Sequence, residues 1–202
     1  YFATPVRSII VTVLSKEEKS RGVVAFSSGN HAQGIAYASR ELGTSAKIVM
    51  PSDAPKIKIW KTQEYGAEVI FYERDEDNRE EIGFSIAKEE GRKLIKPFDD
   101  LNVIYGQGTA ALEVMDEVDT KFDMSVVCCS GGGLAAGTGI VLKNSLSDCQ
   151  LYTAEPKDWN DHEKSFLQNN IVSIKTKKHG MCDALENPQP GEITFRINSA
   201  LK

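Results

Sequence analysis

Short apolar runs alternate with longer segments of helical periodicity along the first half of the chain. The apolar runs predict strands at residues 23–26, 46–50, 68–72 and 93–96. The segments between them predict helices at residues 30–42, 54–65 and 79–90, each followed directly by a glycine. Strands and helices that alternate in this way are typical of α/β units with a parallel sheet.

The same alternation resumes in the second half, after the segment Gly106-Gln107-Gly108. Helices are predicted at residues 108–118 and 134–146, and strands at residues 125–129 and 150–154. Residues 1–20 contain one helix-like stretch without a preceding strand, and the pattern becomes irregular after Ile174. The pattern therefore places a boundary near the segment 106–108 and leaves both ends of the chain without partners for a complete sheet.

The composition restricts the class of protein only in general terms. The chain has 202 residues, of which 41% are hydrophobic and 26% charged, as in ordinary globular proteins. The net charge of −5 argues against a nucleic-acid partner, which requires a concentrated basic face. No apolar run reaches the length of a membrane-spanning helix, and the four cysteines form no C-x-x-C pair. These features favour a cytoplasmic protein without a membrane partner.

Polar residues crowd the first predicted strand–helix junction, Phe26-Ser27-Ser28-Gly29-Asn30-His31. The first N–H groups of a helix have no internal acceptor and lie at the positive end of the helix dipole, so the junction suits a carboxylate or a phosphate. In the alternative interpretation, Ser28 or Asn30 simply caps the helix. Capping needs one such residue, whereas four polar side chains are present here.

A second junction, Ser130-Gly131-Gly132-Gly133-Leu134, follows an apolar strand and opens a helix that also carries Gly137 and Gly139. Consecutive glycines after a buried strand allow several N–H groups to point at one phosphate. A plain tight turn is the alternative. A dinucleotide fingerprint is not met in register, and a P-loop would require a lysine after the glycines.

These two junctions and six further segments resemble the fold-type II pyridoxal-phosphate (PLP) enzymes, in the branch of threonine dehydratase, serine racemase and the 3-hydroxyaspartate dehydratases. The matching segments are residues 22–34, 48–51, 54–55, 65–67, 106–109, 130–134, 154–156 and 182–185. The resemblance implies two three-layer α/β/α domains of the tryptophan synthase β-like fold. Residues 1–20 would be a helix of the larger domain, residues 21–104 the small domain and residues 105–202 part of the larger domain, which would be incomplete at both ends. It also implies a homodimer that acts on a small amino acid.

The resemblance implies roles for both junctions. Asn30 would hydrogen-bond the phenolic oxygen of PLP, and Ser28 would be the acid/base group at one face of the ring. The substrate carboxylate would be bound by Ser27, Gly29 and His31. The PLP phosphate would be bound by the backbone N–H groups of Ser130, Gly131, Gly132, Gly133 and Leu134.

An acidic metal site is also implied by the resemblance. Glu155 and Asp161 would be side-chain ligands, and the carbonyl of Trp159 would lie between them in the sequence. Oxygen donors of this kind suit Mg²⁺ or Ca²⁺ better than zinc. An ordinary surface loop is the alternative interpretation of these residues.

The expected activity is that of an ammonia-lyase (dehydratase), which converts a β-hydroxy amino acid such as threonine, serine or 3-hydroxyaspartate to a 2-oxo acid and ammonia. Serine racemase activity is the first alternative, since the same residues would support it. The sequence departs from the family at the lysine that attaches PLP, because Ala3 occupies its expected position and no lysine precedes Lys16. We therefore expect a fragment or an impaired copy of the enzyme, and a catalytically dead protein that binds PLP or an amino acid is the second alternative.

Overall fold

The computed structural model describes residues 11–27, 29–119, 121–176 and 179–202. The chain divides between Pro97 and Phe98 into two compact units, each of which is described separately below. The assignment of residues 1–20, 21–104 and 105–202 to parts of two domains stays a prediction. Ala3 and Ser28 lie outside the described residues.

The first unit contains a four-stranded sheet in which all neighbouring strands are parallel. The strand order is β3-β2-β1-β4, with β1 at Val23–Phe26, β2 at Ala46–Pro51, β3 at Glu68–Tyr72 and β4 at Lys93–Ile95. All four residues of β1 are buried, and Ala25 pairs with both Ile48 and Ile95. Because a central parallel strand is covered on both faces, its sequence is continuously apolar and does not alternate.

Four described helices accompany this sheet. They are α1 (Lys16–Arg21), α2 (Asn30–Glu41), α3 (Lys56–Glu64) and α4 (Arg79–Glu90). The single helical stretch expected over residues 1–20 is interrupted, because the chain leaves the helical conformation at residues 13–15 before α1 begins. The cause is a capping box: Ser15 Oγ accepts from Glu18 N at 3.1 Å, and Glu18 Oε2 accepts from Ser15 N at 2.9 Å.

The second unit contains two parallel strands, β5 (Met124–Cys128) and β6 (Gln150–Ala154), with Val126 opposite Tyr152. Its helices are α5 (Leu101–Glu117), α6 (Gly133–Ser145), α7 (Asp161–Gln168) and α8 (Glu192–Leu201), with 3-10 turns at Lys157–Trp159 and Asp183–Leu185. Parallel sheets with intervening helices confirm the predicted α/β class. Among the described residues, no helix combines the length and the apolar character needed to cross a membrane.

Two expectations for the second unit are corrected. Helix α5 begins at Leu101 rather than Gly108, because Asp100 caps it by accepting from Asn102 N at 2.8 Å and Val103 N at 3.3 Å. The segment 106–108 therefore lies inside a helix. The chain is also not irregular to its end, since α8 follows Gly191.

The glycines of α6 are explained by helix packing. A Cβ added at Gly137 would lie 2.4 Å from the carbonyl oxygen of Ile104 and 2.6 Å from Gly108 N, both in α5. A Cβ at Gly139 would lie 2.7 Å from Leu201 Cδ1 in α8. These two glycines allow neighbouring elements to approach closely, which accounts for the pattern that resembles a dinucleotide fingerprint.

Candidate active site

The first junction lies at the carboxyl end of β1, the central strand of the sheet. Ser27 N donates to Val49 O at 3.0 Å, and Ser27 Oγ accepts from Gly29 N at 3.2 Å. Helix α2 begins at Asn30, and its N-cap residue Gly29 has no side chain to cap it. Asn30 is exposed, and its side chain makes no hydrogen bond within the described part of the chain. The interpretation of Asn30 as a simple helix cap is therefore wrong.

The second junction is a tight loop in which Gly131 and Gly132 leave no room for a side chain and Gly133 leaves little. A Cβ at Gly131 would lie 2.2 Å from Cδ1 of Phe98, and one at Gly133 would lie 3.1 Å from the carbonyl oxygen of Phe98. Gly132 has a φ of +92°, and a Cβ there would lie 2.6 Å from Cε1 of His162. A position with left-handed backbone that is closely covered by a ring accommodates glycine far better than any other residue type.

The N–H groups of this loop have no partner inside the described protein. Across residues 131–134, none donates to an acceptor in the described ranges. Gly132 is the N-cap of α6, so the loop coincides with the positive end of a 13-residue helix. Four adjacent donors at that position are an arrangement that favours an anion such as a phosphate, and the phosphate site stays a prediction.

His162 contacts the loop, and nothing in the sequence indicated this. Its side chain is buried, and its ring lies against Gly132. Burial lowers the pKa of His162 to about 4, although the carbonyl groups of Gly131 and Ser130 act in the opposite direction. The imidazole is therefore neutral at pH 7 and adds no positive charge to the loop.

The acidic segment, residues 155–161, is not an ordinary surface loop. Asp161 is fully buried, and neither of its carboxylate oxygens has a hydrogen-bond partner in the described part of the chain. Burial, together with the negative charge of Glu155, raises the pKa of Asp161 to about 7. Glu155 holds the start of α7, because its two oxygens accept from His162 N and Glu163 N, each at 2.9 Å.

The structure brings the acidic segment and the glycine loop together within the second unit, since His162 follows Asp161 directly and contacts Gly132. No cluster of three or more His, Cys, Asp or Glu side chains that could hold a metal occurs in the described ranges. The metal site at Glu155, Trp159 and Asp161 therefore stays a prediction, with two carboxylates as its side-chain ligands.

Comparison with known proteins agrees with this geometry. Residues 6–201 match the family model described as pyridoxal-phosphate dependent enzyme. The chain is 43% identical over 187 residues to the L-threo-3-hydroxyaspartate ammonia-lyase of Saccharomyces cerevisiae, covering 93% of the chain and 57% of the relative. It is 41% identical over 184 residues to the serine racemase of Schizosaccharomyces pombe, covering 91% and 56%.

The fold of the chain is also similar to that of solved structures. The structure of maize serine racemase matches 99% of the chain with a TM-score of 0.91 at 32% identity, and the match covers 60% of that protein. The chain thus spans a little more than half the length of the curated relatives it matches. The resemblance to the branch of threonine dehydratase, serine racemase and 3-hydroxyaspartate lyase is confirmed, as is the fold-type II class. The chain belongs to the family of pyridoxal-phosphate dependent enzymes.

Proposed function

We propose that the protein is a PLP-dependent ammonia-lyase that converts a β-hydroxy amino acid such as threonine, serine or 3-hydroxyaspartate to a 2-oxo acid and ammonia. The observation that carries this proposal is the loop at residues 131–134, whose N–H groups have no acceptor within the described ranges. It occurs in a chain that is 43% identical to an L-threo-3-hydroxyaspartate ammonia-lyase.

The loop would bind the phosphate of PLP. The N–H groups of Ser130, Gly131, Gly132, Gly133 and Leu134 would donate to its oxygens. The Cβ positions of Gly131 and Gly133 face Phe98, so packing against that residue accounts for both glycines. The helix dipole of α6 adds favourable electrostatics for an anion.

The first junction would bind the ring and the substrate. Asn30 would donate to the phenolic oxygen of PLP, and the substrate carboxylate would be bound by Ser27, Gly29 and His31. PLP, when bound, supplies an electron sink that makes the α-proton of an amino acid acidic. The hydroxyl of Ser28 would hold or transfer a proton at one face of the ring. Loss of the β-hydroxyl as water and hydrolysis of the remaining enamine would give the 2-oxo acid and ammonia.

Two other functions have support. Serine racemase activity is favoured by the 41% identity to the S. pombe serine racemase. A catalytically dead PLP-binding protein is favoured by Ala3, which stands where the resemblance places the attaching lysine. Assays of the full-length protein with threonine, serine and 3-hydroxyaspartate separate the first two: release of a 2-oxo acid indicates the lyase, and formation of D-serine indicates the racemase.

The attaching lysine is tested independently of turnover. The full-length protein is incubated with PLP, reduced with borohydride and digested for mass spectrometry. A lyase or racemase should carry a pyridoxyl group on one specific lysine. If PLP binds and no lysine is modified, the catalytically dead protein is the correct assignment.

A divalent cation, Mg²⁺ or Ca²⁺, is proposed as a further ligand. It would be bound by the carboxylates of Glu155 and Asp161 and by the carbonyl of Trp159. The support is the buried carboxylate of Asp161, whose oxygens have no hydrogen-bond partner in the described ranges. A buried anion of this kind is costly unless a cation or a proton neutralises it. The resemblance also supports a homodimer, which sedimentation would test. The cysteine pattern supports a cytoplasmic location, which cell fractionation would test.

Replacement of Asp161 by asparagine tests the metal. Without divalent cations, the raised pKa means that Asp161 destabilises the folded state progressively as pH rises from about 4 through about 7. Asp161→Asn should remove this pH dependence and raise the melting temperature at pH 8 in EDTA. With millimolar Mg²⁺ or Ca²⁺ the unmutated protein should gain stability and the variant should not. Equal gains in both proteins would contradict the metal site.

A further inference from the structure

Carbonyl groups of the glycine loop, residues 131–134, point toward helix α8, which covers that side of the loop. The Thr194 hydroxyl donates to Gly131 O at 2.6 Å, and Asn198 Nδ2 donates to Gly132 O at 3.2 Å. Gly131 O also accepts from Gly191 N at 3.3 Å, and Gly132 O also accepts from Ala136 N at 2.9 Å. The carbonyl groups of both glycines are therefore occupied by protein donors.

These contacts determine where the N–H groups of the loop point. In a trans peptide the C=O and the following N–H lie in one plane and point in opposite directions. A hydrogen bond from Thr194 to Gly131 O therefore directs Gly132 N–H away from α8. The bond from Asn198 to Gly132 O directs Gly133 N–H the same way.

The start of α8 is itself held firmly in the unit. Asp99 Oδ1 accepts from Ile193 N at 2.8 Å and from Thr194 N at 3.2 Å. This carboxylate caps a helix that lies 94 residues further along the chain. Thr194 is fully buried, so its hydroxyl is held in place by packing as well. Its shorter contact is with Gly131 O, whereas Gly191 O lies at 3.1 Å.

We propose that Thr194 and Asn198 are positioning residues for phosphate binding: their hydrogen bonds to the carbonyl groups of Gly131 and Gly132 orient the N–H groups of Gly132 and Gly133 toward the phosphate. The inference rests on the proposed function of the loop as the PLP phosphate site. Neither side chain would need to contact the ligand to have this effect. Each acts through the backbone of a glycine, which has no side chain of its own to restrict its conformation.

The test measures phosphate binding separately from folding and catalysis. The cofactor-free full-length protein is titrated by calorimetry with 4′-deoxypyridoxine 5′-phosphate and with 4′-deoxypyridoxine. Neither compound has an aldehyde, so the result does not depend on the attaching lysine. The ratio of the two affinities reports the contribution of the phosphate.

Thr194→Val retains the shape of the side chain and removes the donor. It should lower the affinity for the phosphorylated compound by about three- to tenfold, since one net hydrogen bond contributes about that much. The affinity for 4′-deoxypyridoxine should change by less than about twofold. Thr194→Ser should restore the phosphate preference. Asn198→Leu should give a smaller loss, because its contact is longer and Gly132 O has a second donor.

Ser199→Ala is the matched control, because it removes a hydroxyl of the same helix that has no hydrogen-bond partner in the described ranges. If Thr194→Val does not fold, Asn198→Leu decides the question. Equal losses for both ligands, or an unchanged phosphate preference in the variants, would contradict the positioning role of Thr194 and Asn198. Neither result would affect the proposed function of the loop. An unmutated protein that shows no preference for the phosphorylated compound would instead overturn the proposed function of the loop.

Discussion

Gly131→Ala is expected to weaken PLP binding by at least about tenfold and to lower the free energy of unfolding by about 1–3 kcal/mol. The added methyl carbon would lie 2.2 Å from both Cγ and Cδ1 of Phe98, whereas carbon atoms in contact prefer about 3.5–4.0 Å. Either the Phe98 ring or the loop must therefore move by about 1 Å or more. The displaced N–H groups would no longer converge on one phosphate. Calorimetric titration with PLP and a thermal melt measure the two effects.

Two further variants test whether the clash with Phe98 causes the effects of Gly131→Ala. Gly180→Ala is the control, because a Cβ there would meet no atom of the described residues within 4 Å. Combining Gly131→Ala with Phe98→Ala should recover part of both losses, since the smaller side chain makes room for the methyl group. The double mutant should thus be more stable than the sum of the single effects predicts. Additive losses would show that Phe98 is not the cause.

Gly137→Ala is expected to lower the free energy of unfolding by about 3 kcal/mol, at the upper end of the usual range for overpacking. The clash is with the backbone of α5, at Ile104 O and Gly108 N, and cannot be relieved by a change of rotamer. Helices α5 and α6 would have to separate. The melting temperature should fall by roughly 2–4 °C for each kcal/mol in a protein of this size.

Ser145→Ala serves as the control for this second variant, because Ser145 is exposed at the end of the same helix. It should melt within about 1 °C of the unmutated protein, as surface substitutions usually do. If the Gly137→Ala variant has the same melting temperature as the control, α5 and α6 pack less closely than the structure indicates.

The strands and most helices of the first unit were predictable from the sequence. Strand β1 and helix α4 have the predicted bounds, Val23–Phe26 and Arg79–Glu90. The burial of β1 on both faces makes its sequence continuously apolar, and Gly91 ends α4 in the left-handed conformation. Both signals are local, so a single sequence carries them.

The starts of α1 and α5 had local signals, the caps at Ser15 and Asp100, whereas the other errors involve contacts that are distant in the sequence. The glycines at 106–108 suggested an interruption, yet α5 continues through them because Gly108 packs against Gly137. Helix α8 was missed, although Ile193, Ile197 and Leu201 recur at intervals of four. Its start is capped by Asp99 from another part of the chain, a signal that no local pattern can carry.

The sequence by itself determined the α/β class, the family and the two junctions where polar groups and glycines follow apolar strands. These features depend on neighbouring residues, so they are present in the order of the amino acids. Only the tertiary structure decided that Asp161 is buried, that His162 lies beneath Gly132 and that Thr194 holds the carbonyl of Gly131. Burial and hydrogen bonding across 30 or 63 residues depend on how the chain packs, which a local pattern does not encode.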